Sequence, residues 1–319
     1  MNEPRTLDEL WTLDELWTLD EPWTMNEPWT LDEPWTMNGP WTLDEPWTVD
    51  YGLWTDRGFV KIAVCIKQVV TREWQVRVNE SKTWVRDSDA SWELNEPDAY
   101  ALEEALRLRE KHGGEVVVVS AGPARVAQVL REALARGADR AIHVQGDHFS
   151  TADAFTAAEA LAAALAPEQA DLILTGLQSD DQGFAQVGVV LAEKLGVAHS
   201  TIIMEVQISA PSTGSGPADL RVKRELEGGW FQWVSMPLPA VLTIQSGINQ
   251  LRYATLKGIM AAKKKEIRAV AAPPVSTVKQ RIASVYMPEK SKQTRMISGS
   301  AAEAAKELVR VLREDARVL

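Results

Sequence analysis

The sequence has a single cysteine, Cys65, and this scarcity excludes several kinds of protein. One cysteine cannot form an internal disulfide, so the chain is not a disulfide-stapled secreted scaffold, and a reducing cytoplasm is the expected location. Its 4 histidines show no metal-ligand spacing, so no metal site is predicted. No run of about 18 apolar residues occurs, so we expect no insertion into a membrane.

Residues 1–59 lack the patterns of a folded domain. They repeat W-T-[LM]-[DN]-E-[LP] with a six-residue period, which fits neither a helix nor a known solenoid repeat, and proline removes a backbone donor from most repeats. A targeting peptide would need an apolar or Arg-rich segment, and neither is present. We interpret the segment as low-complexity sequence, either translated from upstream of a true start at Val60 or used as a tryptophan-bearing interaction arm.

The acidic charge of the chain is concentrated in this segment. It holds 14 of the 45 acidic residues but only Arg5 and Arg57 of the 34 basic ones, so the net charge of −11 becomes about +1 (32 − 31) over residues 60–319. Those residues suffice for one large α/β domain followed by a C-terminal extension. No nucleic-acid partner is expected.

After Val60, apolar runs alternate with amphipathic helical patterns. Strands are predicted at 61–70, 115–123, 141–145 and 171–178, and helices at 95–113, 124–139, 151–166 and 184–197. This alternation predicts an α/β fold with a Rossmann-like, doubly wound, mostly parallel sheet. Residues 220–247 predict a β-hairpin that turns at Gly228 and Gly229, with a long strand returning through Val241.

The loops beyond the carboxyl ends of these strands are the expected ligand sites. The turn SAGPAR has one of the three glycines of G-x-G-x-x-G, and the P-loop pattern is absent, so neither ordinary phosphate motif is supported. The loop TGLQSDDQGFAQVG at 175–188 runs into a helix start whose free amides could hold a phosphate. Alternatively, Ser179, Asp180 and Asp181 only cap that helix. The adjacent carboxylates would repel a phosphate and do not form a catalytic acid and base.

Leu256, Ile259 and Met260 share one face of a short predicted helix in the segment LRYATLKGIMAAKKK. Positions i, i+3 and i+4 are typical of a buried face, although a docking patch has the same spacing. Lys263 to Lys265 follow at the end of this helix, where cations suit the helix dipole.

Several segments together resemble one known family. They are KIAVCIKQV, NEPDAYALEEALRL, SAGPA, GADRAIHV, TGLQSDDQGFAQVG, VKRELEGG, LPAVLTI and LRYATLKGIMAAKKK. Through them, residues 60–267 resemble the β subunit of electron transfer flavoprotein, an FAD protein that collects electrons from acyl-CoA and other dehydrogenases. Residues 1–59 have no counterpart in that family, which favours the upstream-start interpretation.

The resemblance implies that this subunit buries an AMP, gripped by the ends of the first strands and the loop before the fourth helix. Val187 replaces a threonine of mitochondrial members, so the side-chain contact of that threonine with the phosphate is not transferred to this position. A tyrosine that mitochondrial members place against the flavin falls at Arg72, and that contact is not transferred either. Cys65 is expected to act through its backbone. The implied nucleotide-binding positions are Cys65, Asn95, Glu96, Pro97, Asp98, Ala121, Asp181, Gln182, Gly183, Gln186, Val187 and Gly188.

The resemblance also implies the partners. FAD lies chiefly on an α subunit, this chain closes over one side of its ring, and residues 268–319 form an arm that wraps the α subunit. A recognition loop docks the dehydrogenases, with Leu256 entering a pocket on them. The implied docking residues are Arg252, Tyr253, Ala254, Thr255, Leu256, Ile259 and Met260.

The function implied is that of a cytoplasmic electron carrier without a catalytic residue of its own, which passes electrons to a quinone reductase or another acceptor. Two alternatives stay open. In a flavin-bifurcating complex, a second FAD would replace AMP and the heterodimer would oxidise NADH, whereas a stand-alone adenylate sensor would bind without an α subunit. The number of flavins per heterodimer, one or two, distinguishes the electron carrier from the flavin-bifurcating complex.

Overall fold

The structure is a computed structural model that describes residues 60–209, 219–274, 278–288 and 294–318. The predicted low-complexity segment 1–59 lies outside the described residues. The strands are β1 Val60–Cys65, β2 Gln68–Val70, β3 Trp92–Leu94, β4 Gly114–Gly122, β5 Arg140–Gln145, β6 Leu172–Gly176, β7 Ala198–Ser209, β8 Asp219–Glu225, β9 Phe231–Met236, β10 Ala240–Ile244 and β11 Ile267–Ala271. The α-helices are α1 Glu96–His112, α2 Ala127–Arg136, α3 Ala154–Leu165, α4 Val187–Leu195, α5 Leu256–Ala262 and α6 Ala301–Arg310.

In the described part of the chain, nine strands form a central sheet in the order β11-β5-β4-β1-β6-β10-β7-β8-β9. The pairs from β11 to β7 are parallel, whereas β8 and β9 are antiparallel. The predicted α/β class with a mostly parallel, Rossmann-like sheet is confirmed. The chain runs from β1 to β4 and β5 on one side and then crosses to β6 on the other, so the topological switch point lies between β1 and β6.

Alternate side chains of the central strands face opposite helical layers. Ile62 and Val64 of β1 belong to the core shared with α1 and α2, whereas Ala63 and Cys65 belong to the core shared with α3 and α4. Both faces of β1 are therefore covered, which is why its sequence is a continuous apolar run rather than an alternating one.

The predicted strand 61–70 is two strands. β1 ends at Cys65, and β2 pairs antiparallel with β3 in a separate two-stranded sheet. Between them, the backbone N–H of Lys67 donates to Asp98 Oδ2 at 2.7 Å instead of to a neighbouring strand. The carboxylate at the start of α1 thus interrupts the ladder.

The hairpin β8–β9 is present, but its second strand is shorter than predicted. It ends at Met236, and Pro237 and Pro239 precede β10, which enters the parallel sheet between β6 and β7. Proline cannot donate to a strand ladder, so the prediction of one long strand through Val241 was wrong. Strands β7 and β11 were not predicted, and β11 extends the sheet past residue 267 by pairing with β5.

A charged cluster holds the edge of the sheet opposite the carboxyl ends of the strands. The buried carboxylate of Glu168 lies 3.0 Å from Lys61 Nζ and 2.5 Å from Arg268 Nη2, and it also pairs with Arg140. Burial alone would raise the pKa of Glu168, but the hydrogen bonds from Arg140 and Lys61 outweigh it and lower the pKa to about 2. The cluster ties the 3-10 turn that follows α3 to the starts of β1, β5 and β11.

The C-terminal segment lies against the domain through backbone contacts. Asp153 Oδ2 accepts the N–H groups of Lys279 and Gln280 at 2.6 and 2.8 Å, and the N–H of Val285 donates to Lys82 O at 2.7 Å. α6 begins with a capping box at Ser300 and buries none of its residues. Among the described helices, none is both long enough and apolar enough to cross a bilayer.

Candidate functional site

An open cleft lies at the switch point, beyond the carboxyl ends of β1 and β6. This is where a doubly wound sheet binds its ligands. Its walls come from the ends of β1, β4 and β6, the starts of α1 and α4, and one side of α3. The lining residues are Cys65, Ile66, Lys67, Asn95, Asp98, Ala121, Phe149, Ala152, Asp153, Ala154, Ala157, Leu161, Thr175, Gly176, Leu177, Gln178, Ser179, Gln182, Phe184, Ala185, Gln186, Val187 and Gly188.

The N-terminus of α4 opens on the cleft. Gln186 is its N-cap residue without a side-chain cap, and the N–H groups of the first helical turn have no partner within a helix. A Cβ atom at Gly188 would lie 2.5 Å from Thr243 Cγ2 and 2.9 Å from Thr175 Oγ1. Only glycine therefore lets α4 start this close to the sheet, and Gln186, Val187 and Gly188 at its N-terminus line the cleft.

Asp98 joins three elements at the floor of the cleft. Its carboxylate accepts the N–H of Lys67 at 2.7 Å and the N–H of Gly176 at 2.9 Å, which fixes the start of α1 to the ends of β1 and β6. Burial raises the pKa of Asp98 to about 7, against the lowering effect of these two amides. At neutral pH this carboxyl therefore carries only part of a negative charge.

Asn95 holds the loop that follows β6. Its Nδ2 donates to Gln178 O at 3.0 Å and its Oδ1 accepts the N–H of Asp180 at 2.9 Å. The side chain was predicted to open α1, and Asn95 is indeed its N-cap position, but it makes no side-chain cap. The hydrogen bonds fix the shape of the 178–180 turn instead.

The two adjacent carboxylates of this loop are each paired with a cation. Lys67 Nζ lies 2.7 Å from Asp181 Oδ1 and also donates to Gln182 Oε1 at 2.9 Å, whereas Arg72 lies 3.2 Å from Asp180 Oδ2. Arg72 also pairs with Glu96. The repulsion of an anion that the sequence suggested is therefore offset by neighbouring positive charge.

Cys65 contributes shape rather than chemistry. It is buried, and burial together with the nearby charge of Asp98 raises the pKa of its thiol well above the usual range. A thiol in this state is a poor nucleophile and a poor metal ligand. Across residues 60–209, 219–274, 278–288 and 294–318, no group of three or more His, Cys, Asp or Glu side chains is placed to hold a metal ion.

The structure brings most of the predicted nucleotide-binding residues together. Those that line the cleft are Cys65, Asn95, Asp98, Ala121, Gln182, Gln186, Val187 and Gly188. The four others are not among the lining residues: Glu96 pairs with Arg72, Pro97 packs beside Gly176, Asp181 pairs with Lys67, and Gly183 has a positive φ of 64°. Binding by any of them remains a prediction.

Lys67 and Asp153 line the cleft although sequence reasoning did not single them out. Lys67 lies two residues after the end of β1, at the sheet edge where ligands bind, and this position could have indicated it. Asp153 could have been found as the residue before α3, where it accepts the N–H of Thr156 at 2.8 Å as an N-cap.

A second candidate surface lies around the start of α5. The side chains of Tyr253 and Leu256 are 91% and 78% exposed, and Ile259 and Met260 are exposed as well. The helical spacing of Leu256, Ile259 and Met260 therefore does not mark a buried face. Instead, α5 packs on α2 through Gly258, where a Cβ atom would lie 2.3 Å from Ala135 O.

Other predicted docking residues have structural contacts. Thr255 Oγ1 accepts the N–H of Gly258 at 3.0 Å and caps α5, and Arg252 pairs with Glu103 and Glu110 of α1. Lys265 does not serve the dipole of α5, because its Nζ donates to Ala138 O at 2.5 Å, just after α2. The exposed apolar set is thus carried on α5 and on the segment before it, which are fixed to α2 and α1.

Comparisons with known proteins give a consistent result. The family described as "Electron transfer flavoprotein domain" matches residues 83–275. The "Electron transfer flavoprotein subunit beta" of Methylophilus methylotrophus is 36% identical over 268 residues, covering 80% of this chain and 98% of the relative. The protein of the same name from Bacillus subtilis is 32% identical and covers 82% of this chain and 100% of the relative. The "Electron transfer flavoprotein subunit beta, mitochondrial" of Oryza sativa subsp. japonica is 35% identical, with the same 82% and 100% coverage.

Proposed function

The chain belongs to the electron transfer flavoprotein family, and from that membership we propose that it is the β subunit of a heterodimeric electron carrier. In this proposal the FAD is bound chiefly by an α subunit, and this chain closes over one side of the flavin ring. Electrons arrive from acyl-CoA and other primary dehydrogenases and leave to a quinone reductase or another acceptor.

The cleft at the switch point is the site proposed for AMP. One observation carries this proposal: the N-terminus of α4, whose first-turn N–H groups have no partner within the helix, lines the cleft at Gln186, Val187 and Gly188. Unpaired helix N-terminal amides favour an anion, so the phosphate of AMP suits this end of the cleft. Apolar side chains of Phe149, just before α3, and of Leu161, on α3, line one wall of the cleft, which suits a purine ring.

The charges around the cleft are compatible with a nucleotide phosphate. Asp180 and Asp181 are paired with Arg72 and Lys67, and the carboxyl of Asp98 has a pKa of about 7. Only a fraction of the formal negative charge is therefore uncompensated near the phosphate end. The backbone amides of α4 supply the positive pole that an anion requires.

The redox chemistry belongs to FAD, which exchanges electrons when bound. This chain's residues bind the nucleotide, orient the docking surface and shield one side of the flavin. Asp98 and Asn95 fix the strand ends and loop that form the nucleotide cleft, and α5 presents the surface proposed for dehydrogenases. Leu256 is the proposed anchor of that surface, because an exposed leucine at the start of a fixed helix loses little conformational entropy when it enters a partner's pocket.

Nucleotide analysis of the heterodimer tests the proposal. The chain is co-purified with its α subunit, the protein is denatured, and the released nucleotides are separated and quantified against protein. We expect AMP and FAD in near-equal amounts. Two FAD per heterodimer and no AMP would instead identify a flavin-bifurcating complex, and stable AMP binding without any α subunit would identify an adenylate sensor.

A further inference from the structure

Arg252 uses its guanidinium within this chain. Its Nε and Nη2 donate to the two carboxylate oxygens of Glu103 at 2.8 and 3.1 Å, and Nη1 and Nη2 donate to those of Glu110 at 2.5 and 3.1 Å. These four hydrogen bonds occupy four of the five N–H donors of an arginine. Although Arg252 lies in the proposed docking segment, it has almost no donor left for a partner protein.

The two carboxylates lie on α1, seven residues apart and therefore on one face of the helix. Glu103 is buried, and the N–H of Arg252 donates to it as well, at 3.2 Å. The preceding residues follow the same face, because Arg107 donates to Gln250 O at 3.2 Å and Asn249 to Tyr100 O at 3.2 Å. The segment 249–252 is thus fixed along α1.

The other end of the loop is fixed to α2. Gly258 lies so close to Ala135 O that no side chain fits between them, and Thr255 caps the helix that begins at Leu256. Between these two attachments, Tyr253 and Leu256 are almost uncovered. Their orientation is therefore set by the attachments on either side and not by contacts of their own.

We propose that Glu103 and Glu110 are positioning residues for dehydrogenase docking, which act through Arg252 to hold the 253–256 turn in its binding conformation. The inference rests on the proposed function, since it concerns the same docking surface. A fixed turn does not have to be ordered when the partner binds, and ordering costs affinity. Loss of the clamp is expected to raise the KM for the dehydrogenase about three- to tenfold and to leave kcat unchanged.

The test compares variants of the purified heterodimer in reduction by a primary dehydrogenase. Arg252→Gln removes the clamp but leaves Glu103 paired with Arg107, which lies 2.9 Å away, so the fold keeps a partner for the buried carboxylate. Glu110→Gln weakens the clamp at its exposed end. Arg86→Gln is the matched control, because it removes an arginine–carboxylate pair, with Asp89, that touches neither α1 nor α5.

The decisive measurement is a double-mutant cycle with Leu256→Ala. We expect Arg252→Gln to raise KM in the wild-type background, Glu110→Gln to raise it less, and neither to have a further effect once Leu256 is alanine. Hydrogen exchange of residues 253–256 in the free heterodimer is expected to accelerate in Arg252→Gln but not in Arg86→Gln.

The outcomes separate this inference from the proposed function. An unchanged KM in Arg252→Gln, or an equal rise with and without Leu256, contradicts positioning. If Arg252→Gln raises KM, but Glu110→Gln does not and hydrogen exchange of residues 253–256 is no faster, Arg252 contacts the partner directly. That result also overturns the positioning role. If Leu256→Ala alone leaves KM unchanged, the docking surface itself is wrong and the positioning role falls with it.

Discussion

Replacing Leu256 by alanine separates docking from folding. The side chain is 78% exposed, so only about 22% (100 − 78) of it is covered in the free chain. Full burial of a leucine contributes about 1.5–3 kcal/mol, so we expect the free energy of unfolding to fall by only about 0.5 kcal/mol. A hot-spot leucine contributes about 2 kcal/mol to binding, so the dehydrogenase should bind about thirtyfold more weakly.

The assay pairs a thermal melt with the dissociation constant for a cognate dehydrogenase, both on the heterodimer. Leu165→Ala is the control, because that leucine is 2% exposed on α3, in the helical layer on the other face of the sheet, and its loss should cost about 2–5 kcal/mol of stability without a selective effect on the partner. The reasoning is refuted if Leu256→Ala melts like the core variant while its affinity for the dehydrogenase is unchanged.

Three further changes test the cleft and the sheet. Gly188→Ala places a Cβ atom 2.5 Å from Thr243 Cγ2, so we expect about 1–3 kcal/mol of destabilisation in denaturant unfolding. We also expect at least about a tenfold loss of AMP affinity, measured by nucleotide retention. Full AMP retention would contradict the assignment of the cleft as the AMP site. Glu168→Gln should lower the free energy of unfolding by about 2 kcal/mol at pH 7. Because the folded-state pKa of Glu168 is lowered to about 2, the difference in stability from wild type should shrink as pH falls from 4.5 towards 2. A stability difference that does not vary with pH would rule out the ion pairs as its cause. The pH dependence at Asp98 should have the opposite sign, because its folded-state pKa is raised from 3.8 to about 7. The greater stability of wild type over Asp98→Asn should be largest below pH 4 and decline as pH rises through 7. Equilibrium unfolding at several pH values measures this, and a stability difference that stays flat or rises with pH would contradict it.

The strand and helix order between β1 and α4 could be predicted because each element is long and strongly patterned. The misses have separate causes. The run KIAVCIKQVV contains no glycine or proline to mark a break, and the carboxylate of Asp98, 31 residues after Lys67, takes the N–H of Lys67 where the first strand ends. β7 mixes exposed and buried positions irregularly along its length, and β11 is half exposed at the sheet edge, so neither shows a clear period.

The candidate site was predictable in place but not in its electrostatics. The loop 175–188 and the carboxyl end of β1 could be located from the strand order alone. The pairing of Lys67 with Asp181 joins residues 114 positions apart, and the link from Arg252 to Glu103 spans 149. Such contacts depend on tertiary packing, and no local sequence pattern reports them. Exposure of Leu256 was equally undetermined, because the same spacing suits a buried face or a docking patch.

Stopped-flow reduction of the heterodimer by an acyl-CoA dehydrogenase tests the central claim most directly. The account predicts that the flavin absorbance near 450 nm bleaches at a rate that saturates with dehydrogenase and recovers when an electron acceptor is added. This chain mixed with FAD in the absence of the α subunit should show no such reduction. A heterodimer that holds its flavin but is reduced by NADH and not by any primary dehydrogenase would contradict the account.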